Sequence, residues 1–270
     1  MYTVHGSRIV SNDDGSGMAA ERGSGRDPAY LMDLLWRTQP SGSRGPRGSL
    51  SVDRVVAAAV EIADTEGIAG VSMRRVAERL GVTTMSLYNY VPSKDDLLDL
   101  MFDMAAGEPD PTDWPDDWRG GLTAFAMAQR QALLARPWML DVPISAPPMG
   151  PSNLAWMEAA LSIMDDTPLT EGDMMGVLSI LSGHVLNEAR LQVTMERATP
   201  RLGVEYADWN VLYGQMLARA AASGSYPTVA RVAAKAFTEE ESGGPDADFR
   251  YGVDYVLDGA AALMRARQAG

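Results

Sequence analysis

Between Ser51 and Ser93 the chain carries more helix start and stop signals than a strand or one long helix could accommodate. Ser51 precedes a run in which Val52, Val55, Val56, Ala59, Val60 and Ile62 recur at the helical period, so its hydroxyl is placed to cap a helix. That helix stops near Gly67. Ser72 opens a second, short helix bearing Val76, Ala77 and Leu80, and Gly81 can take the positive φ of a tight turn. A third short helix is expected from about Thr83 to Asn89. Pro92 and Ser93 then end the connection and start a fourth, marked by Leu97, Leu98, Leu100, Met101 and Met104. Two short helices joined through a glycine turn form the helix-turn-helix pattern. Val76, Leu80, Val82 and Leu87 would hold its corner, with small Ala77 where the helices approach.

That packing leaves Thr83, Thr84, Met85, Ser86, Tyr88, Asn89 and Tyr90 pointing outward or sideways. The stretch RLGVTTMSLYNYVPSK, residues 79–94, has hydroxyls, a methionine and a lysine but no carboxylate. Hydroxyls and methyls suit base edges, donors suit phosphates, and a carboxylate would be repelled by the nucleic-acid backbone. Charge points the same way. Residues 41–94 hold seven basic side chains against five acidic ones, whereas 12 basic and 26 acidic residues follow from Asp95 onward, in a chain of net charge −13. A mildly basic unit is joined to one that repels phosphate.

The rest of the chain reads as helices at roughly 116–135, 151–165, 170–197, 205–223, 226–237 and 247–267, separated by Pro/Gly-rich loops. No convincing alternating strand interrupts them, so the expected fold is all-α. Three segments are expected. Residues 1–49 form an N-terminal extension, disordered over 1–27, with a short helix at 28–37 capped by Asp27 and a Gly/Ser/Arg arm. Residues 50–106 form the helix-turn-helix unit, and 107–270 a larger helical domain. The helix is expected to be amphipathic, and the arm to carry little that could pack, so that removing residues 1–48 would leave the fold and dimer intact but cost operator affinity. No signal-peptide core or membrane-length apolar run is present, so a cytoplasmic protein is expected.

The string SMRRVAERLGVTTMSLYNYVPSKDDLLDLMFD closely resembles the DNA-binding unit of the tetracycline-repressor family of bacterial transcriptional regulators. The likeness is carried by A..LGV followed by GV…SLY.Y...K..LL. The lead DPAYLMDLLWR, the arginine arm and TMSLYNYVPSK are similar to actinobacterial members that regulate antibiotic export or biosynthesis, the simocyclinone-repressor type among them. The resemblance implies a homodimer on a palindromic double-stranded operator, released by a small-molecule effector. It implies that Arg74 reaches into the major groove, that Thr84 and Met85 face base edges, and that Ser86, Tyr88, Tyr90 and Lys94 meet phosphates. Tyr88 could instead be a core tyrosine under the turn, and Arg75 and Arg79 fit a solvated helix face. Arg44 and Arg47 would either enter the minor groove or sit on a plain linker.

In this family the second domain dimerises and binds the effector. Two helices are candidates for the dimer interface: the mostly apolar stretch around 170–197, and the one carrying Phe249, Val253, Val256, Leu257, Ala260, Leu263 and Met264. Candidate effector contacts are Phe125, Gln129, Arg130, Trp138, Trp156, Met174, Leu178, His184, Asn187 and Glu188: polar or flat groups in apolar surroundings, with Met174 and Leu178 from the apolar stripes of the helix around 170–197. Trp118 and Trp209 are further candidate walls, as are Met127, Met139, Met149, Met157, Met164 and Met175, which could equally fill a core. His184 and Glu188 could simply pair with each other across one helical turn.

Other classes fare worse. The chain has no cysteine, and His5 and His184 are its only histidines, so no metal site or cofactor is expected. No phosphate loop, nucleophile elbow or dinucleotide fingerprint appears, which argues against an enzyme. An architectural or constitutive DNA-binding protein would not need the large acidic domain.

Overall fold

The computed structural model describes residues 28–38, 50–143, 149–205, 208–222, 224–236 and 245–269. They form α1 (Pro28–Leu35), α2 (Val52–Glu66), α3 (Met73–Leu80), α4 (Thr84–Tyr88), α5 (Lys94–Ala106), α6 (Trp118–Ala135), α7 (Pro151–Met164), α8 (Glu171–Leu202), α9 (Trp209–Ala221), α10 (Pro227–Ala236) and α11 (Pro245–Ala269). The fold is all-α, and no strand occurs among the described residues. None of these helices is long and apolar enough to cross a membrane.

Local chemistry sets the helix ends. Ser51, Ser72, Thr83 and Ser93 accept hydrogen bonds from the backbone N–H of Arg54, Arg75, Ser86 and Asp96, each satisfying a donor the helix leaves orphaned. Gly81 sits at φ 67°, which lets the N–H of Gly81 and Val82 fold back onto the carbonyls of Glu78 and Ala77. α2 to α5 pack around Val55, Val56, Val76, Leu87, Leu97 and Met101, all fully buried. The long α8 opens on a reciprocal Thr170–Asp173 capping box and continues through Pro200, beyond the expected end near 197.

The N-terminal extension departs from expectation. The expected disorder of 1–27, the Asp27 cap, and the arm with Arg44 and Arg47 lie outside the described residues. α1, however, packs firmly: Leu31, Leu34 and Leu35 are 5%, 2% and 5% exposed and belong to the main core. The helix ends at Leu35, because Arg37 turns the chain at φ 57°. The amphipathic helix expected at 28–37 is thus seated in the core, which counts against the expectation that residues 1–48 can be removed without cost to the fold. A leucine pair plus one at i, i+3 and i+4 is enough for an apolar stripe when α5 offers a facing groove.

Beyond α5, helices α6, α7, α8 and α11 share the same core, while α9 and α10 pack chiefly on each other. A polar strut joins this layer to α2. Trp138 donates its indole N–H to Asp64 Oδ1 at 2.7 Å, Arg136 pairs with the same carboxylate at 3.4 Å, and Arg136 also donates to Ala105 O.

Candidate nucleic-acid interface and effector cavity

The short α4 presents an outward face. Met85 is 74% exposed, Tyr88 is 40% exposed, and Thr84 and Ser86 are half-buried beside them. Ser86 Oγ lies 2.8 Å from Thr83 Oγ1, so its hydroxyl is already engaged with the helix cap. Tyr90 packs partly against the core, and Lys94 stands exposed in the first turn of α5. Three arginines of α3 have different partners. Arg75 pairs with Glu66 and Arg79 with Glu61, tying α3 to α2. The Arg75 guanidinium holds the Glu66 carboxyl below its ordinary value. Arg74 pairs only along its own helix, with Glu78 at 2.8 Å, and its side chain is 82% exposed. An exposed i,i+4 pair is weakly held because solvent screens it, so Arg74 can exchange this partner for another.

Behind this unit lies a cavity of about 530 Å³. Phe125 and Trp156 form one wall, their rings edge to face at 5.8 Å. Met139, Met149, Met157 and Met175 line other sides, and Leu178, Ser179, Ser182 and Leu186 of α8 follow one helical stripe along it. The side chain of Gln129 reaches the cavity with its Oε1 buried and without a hydrogen-bond partner. A buried acceptor left unsatisfied is costly, so this oxygen is placed to receive a donor from a bound molecule.

The cavity touches the DNA-binding unit directly. Asp99, Phe102, Asp103 and Ala106 of α5 line it, as do Leu31 and Leu35 of α1, which packs on α5. Asp103 is only 7% exposed and caps α7: Oδ1 accepts from the Asn153 backbone at 3.0 Å and side chain at 2.8 Å. Gly150 is required beside it, because a Cβ there would collide with the Asp103 carboxylate. Trp156 Nε1 adds bonds to the carbonyls of Ala106 and Gly107 at the end of α5.

Of the ten expected effector contacts, Phe125, Gln129, Trp156 and Leu178 line this cavity. The other six stand elsewhere. Arg130 is 5% exposed and committed: it donates to Asp246 at 2.6 Å and Gln192 at 2.7 Å, with its guanidinium over the Phe249 ring. A buried cation needs such partners, and these pin α6 to α8 and α11. His184 stacks on Phe249 at 5.3 Å and its Nε2 donates to the Phe249 carbonyl at 3.1 Å, so its recorded partner lies across on α11 rather than at Glu188. Trp138 is the strut to Asp64. Met174 packs against the core, Asn187 is exposed and Glu188 half-buried, off the α8 stripe that faces the cavity. Among the further candidate walls, Trp118, Trp209, Met127 and Met164 also do not line it. Leu31, Leu35, Phe102 and Asp103 were missed, since their role comes from helices that meet only in space.

Two adjoining segments match known family models. Residues 55–101 match the bacterial regulatory proteins of the tetR family, and residues 109–264 match the tetracyclin repressor-like C-terminal domain. The chain belongs to the tetR family of bacterial regulatory proteins. It is similar to the transcriptional repressor DrrR1 of Streptomyces coeruleorubidus, with 39% identity over 97% of each chain. It is 30% identical to the class A tetracycline repressor of Escherichia coli, over 78% of this chain and 91% of that one. Among solved structures, ActR of Streptomyces coelicolor in complex with actinorhodin aligns with a TM-score of 0.65 at 26% identity, over 80% of this chain and 97% of that one. As a tetR-family protein the chain is a transcriptional regulator, and regulators of this family bind DNA and small-molecule ligands. The first match spans most of α2, all of α3 and α4, and the start of α5. α1 lies outside both matched segments.

Proposed function

We propose that this chain is a ligand-responsive repressor that binds a palindromic operator as a homodimer and is released by a planar, polycyclic aromatic effector. The observation that carries this reading is the shared wall: α5, which follows the recognition helix, also lines the cavity. A molecule filling the cavity presses on Phe102 and Asp103, and so on the helix that aims α4. Paired aromatic rings, four methionines and the unsatisfied Gln129 oxygen suit a flat apolar body carrying a hydroxyl or similar donor. The similarity to ActR, whose complex holds actinorhodin, and to the repressor DrrR1 supports a role in controlling genes for antibiotic production, export or resistance.

On the operator side, Arg74 reads guanine, Thr84 and Met85 face base edges, and Ser86, Tyr88, Tyr90 and Lys94 bind phosphates. Arg44 and Arg47 extend the contact into the minor groove. The dimer forms through α8 and α11, where Ile180, Leu191, Tyr251, Tyr255 and Leu263 leave apolar or aromatic surface exposed in the single chain. No chemistry is assigned to the cavity, and the chain is read as a regulator rather than an enzyme.

The test begins with selection of a binding sequence from random duplexes, which is expected to return an inverted repeat. Light scattering is expected to give about twice 29.0 kDa. Actinorhodin titrated into the operator complex is expected to release DNA, and operator is expected to weaken actinorhodin binding by the same factor, as linkage requires. Equal ligand affinity with and without operator would refute effector control.

A further inference from the structure

α1 has eight residues, too few for a helix to persist alone in water, so it exists because it is seated. Its seat has two sides. On one, Leu31 and Leu35 line the cavity, and Trp36 donates its indole N–H to the carbonyl of Met149, another lining residue, at 2.9 Å. On the other, Arg37 joins the helix to the DNA-binding unit. Its backbone sits in the left-handed region at φ 57°, unusual for a residue with a side chain. The guanidinium explains why it stays there. Nη1 caps α1 through the carbonyls of Leu34 and Leu35 at 2.6 and 3.0 Å, while Nε donates to Asp53 in the first turn of α2 at 2.8 Å.

We propose that α1 is a displaceable wall of the effector cavity: seated, it holds α2 in the arrangement that binds operator, and a ligand large enough to need the space of Leu31 and Leu35 unseats it. This rests on the reading of the cavity as the effector site. Such a ligand offers the cavity the same apolar contact that the two leucines supply, so it binds the unseated state better, which is the condition for shifting the equilibrium. A helix this short, held by three leucines and a half-exposed ion pair, is drawn from the low-stability end of the fold. Effector size then becomes the discriminating feature. Ligands that occupy the cavity without needing the space of Leu31 and Leu35 bind without inducing, and those that need it induce.

The test uses the full chain, with operator affinity from fluorescence anisotropy at one salt concentration and α1 seating from amide hydrogen exchange. Leu31→Ala/Leu35→Ala is expected to raise exchange in α1, leave α6, α8 and α11 protected, and weaken operator binding at least about fivefold. Should α1 stay protected in that variant, Leu34→Pro breaks the helix directly and the same loss is expected. Asp53→Asn removes the charge that Arg37 pairs with on α2 and leaves the Arg37 cap on α1 in place, so it is expected to keep α1 protected and lose about two- to threefold, the effect of one exposed ion pair. Loss of α1 protection with unchanged operator affinity would overturn the proposal. In the ligand arm, actinorhodin and 1-anilinonaphthalene-8-sulfonate are titrated into the unmodified chain. Actinorhodin is expected to expose α1 amides as it weakens operator binding, and release of DNA with α1 still protected would overturn the ligand half. Binding by neither probe would overturn the cavity reading and that half together, whereas the variants judge the hold of α1 on α2 without any ligand.

Discussion

The face around α4 and the cavity behind it are made in different ways. The face comes from one short stretch between Arg74 and Lys94, and its outermost side chains, Met85 and Arg74, are mostly solvent-exposed. The cavity is assembled from α1, α5, α6, the turn at 137–143, α7 and α8, and its walls are core residues such as Phe125 and Trp156. On the face, these outermost side chains have little part in holding the fold. In the cavity, a lining residue also holds the fold. Substitutions on the face should therefore change binding and spare stability, whereas substitutions in the cavity should change both.

The largest expected effect tests the second half of that contrast. Phe125 is fully buried and edge-on to both Trp114 and Trp156. Phe125→Ala is expected to destabilise the fold by about 3–5 kcal/mol, measured by urea unfolding. Met85→Ala, by contrast, is expected to stay within about 0.5 kcal/mol while lowering operator affinity. A Phe125→Ala protein as stable as the parent would break the comparison.

Next in size is Gly150→Ala. The added methyl must displace the Asp103 carboxylate from the α7 N-terminus, at a cost of about 1–3 kcal/mol in stability, and it should shift effector affinity as well because both groups line the cavity. Arg74→Ala is expected to leave the unfolding midpoint unchanged and relax base preference by about 1–3 kcal/mol, read by competition between operator variants. Lys94→Ala should weaken binding to all duplexes alike and lower the slope of log affinity against log salt by about one. Retained base preference in the first, or an unchanged slope in the second, would remove these residues from the face.

The smallest effect is a pH dependence at the start of α8. Asp173 caps α8, and its carboxyl is pushed down to about 2, chiefly by the two hydrogen bonds from Arg267 and then by the Thr170 hydroxyl and N–H. A depressed carboxylate stabilises the fold fully above its ordinary value of 3.8 and loses that contribution as pH falls toward about 2. Asp173→Asn is expected to lower the urea midpoint slightly at neutral pH, with the gap closing between about 4 and about 2. A constant gap across that range would show that the α8–α11 tie is not electrostatic.

Much of the DNA-binding unit was legible because its signals are local. Ser51, Ser72 and Ser93 cap their helices through a hydroxyl and an N–H three residues on, and Gly81 makes its turn with its own φ. Such interactions close within one turn of helix, so spacing in the chain is spacing in space. The cavity was legible only in part. Phe125, Gln129 and Trp156 stand out as flat or polar groups in apolar runs, and Leu178 by its place on a helical stripe, but Arg130 and His184 stand out equally and face other helices instead. On an apolar helix, periodicity says which residues share a stripe and not what covers it.

The sequence by itself determined the all-α class, the order of the helices and the acid-free face of α4, because capping, glycine turns and charge act between near neighbours. The tertiary structure alone decided that Trp138 braces α2, that Asp103 caps a helix some fifty residues away, and that α1 lines the cavity instead of trailing from the fold. These depend on which helices meet. Burial is a property of the assembled core, and a leucine has no local mark of the surface it will close.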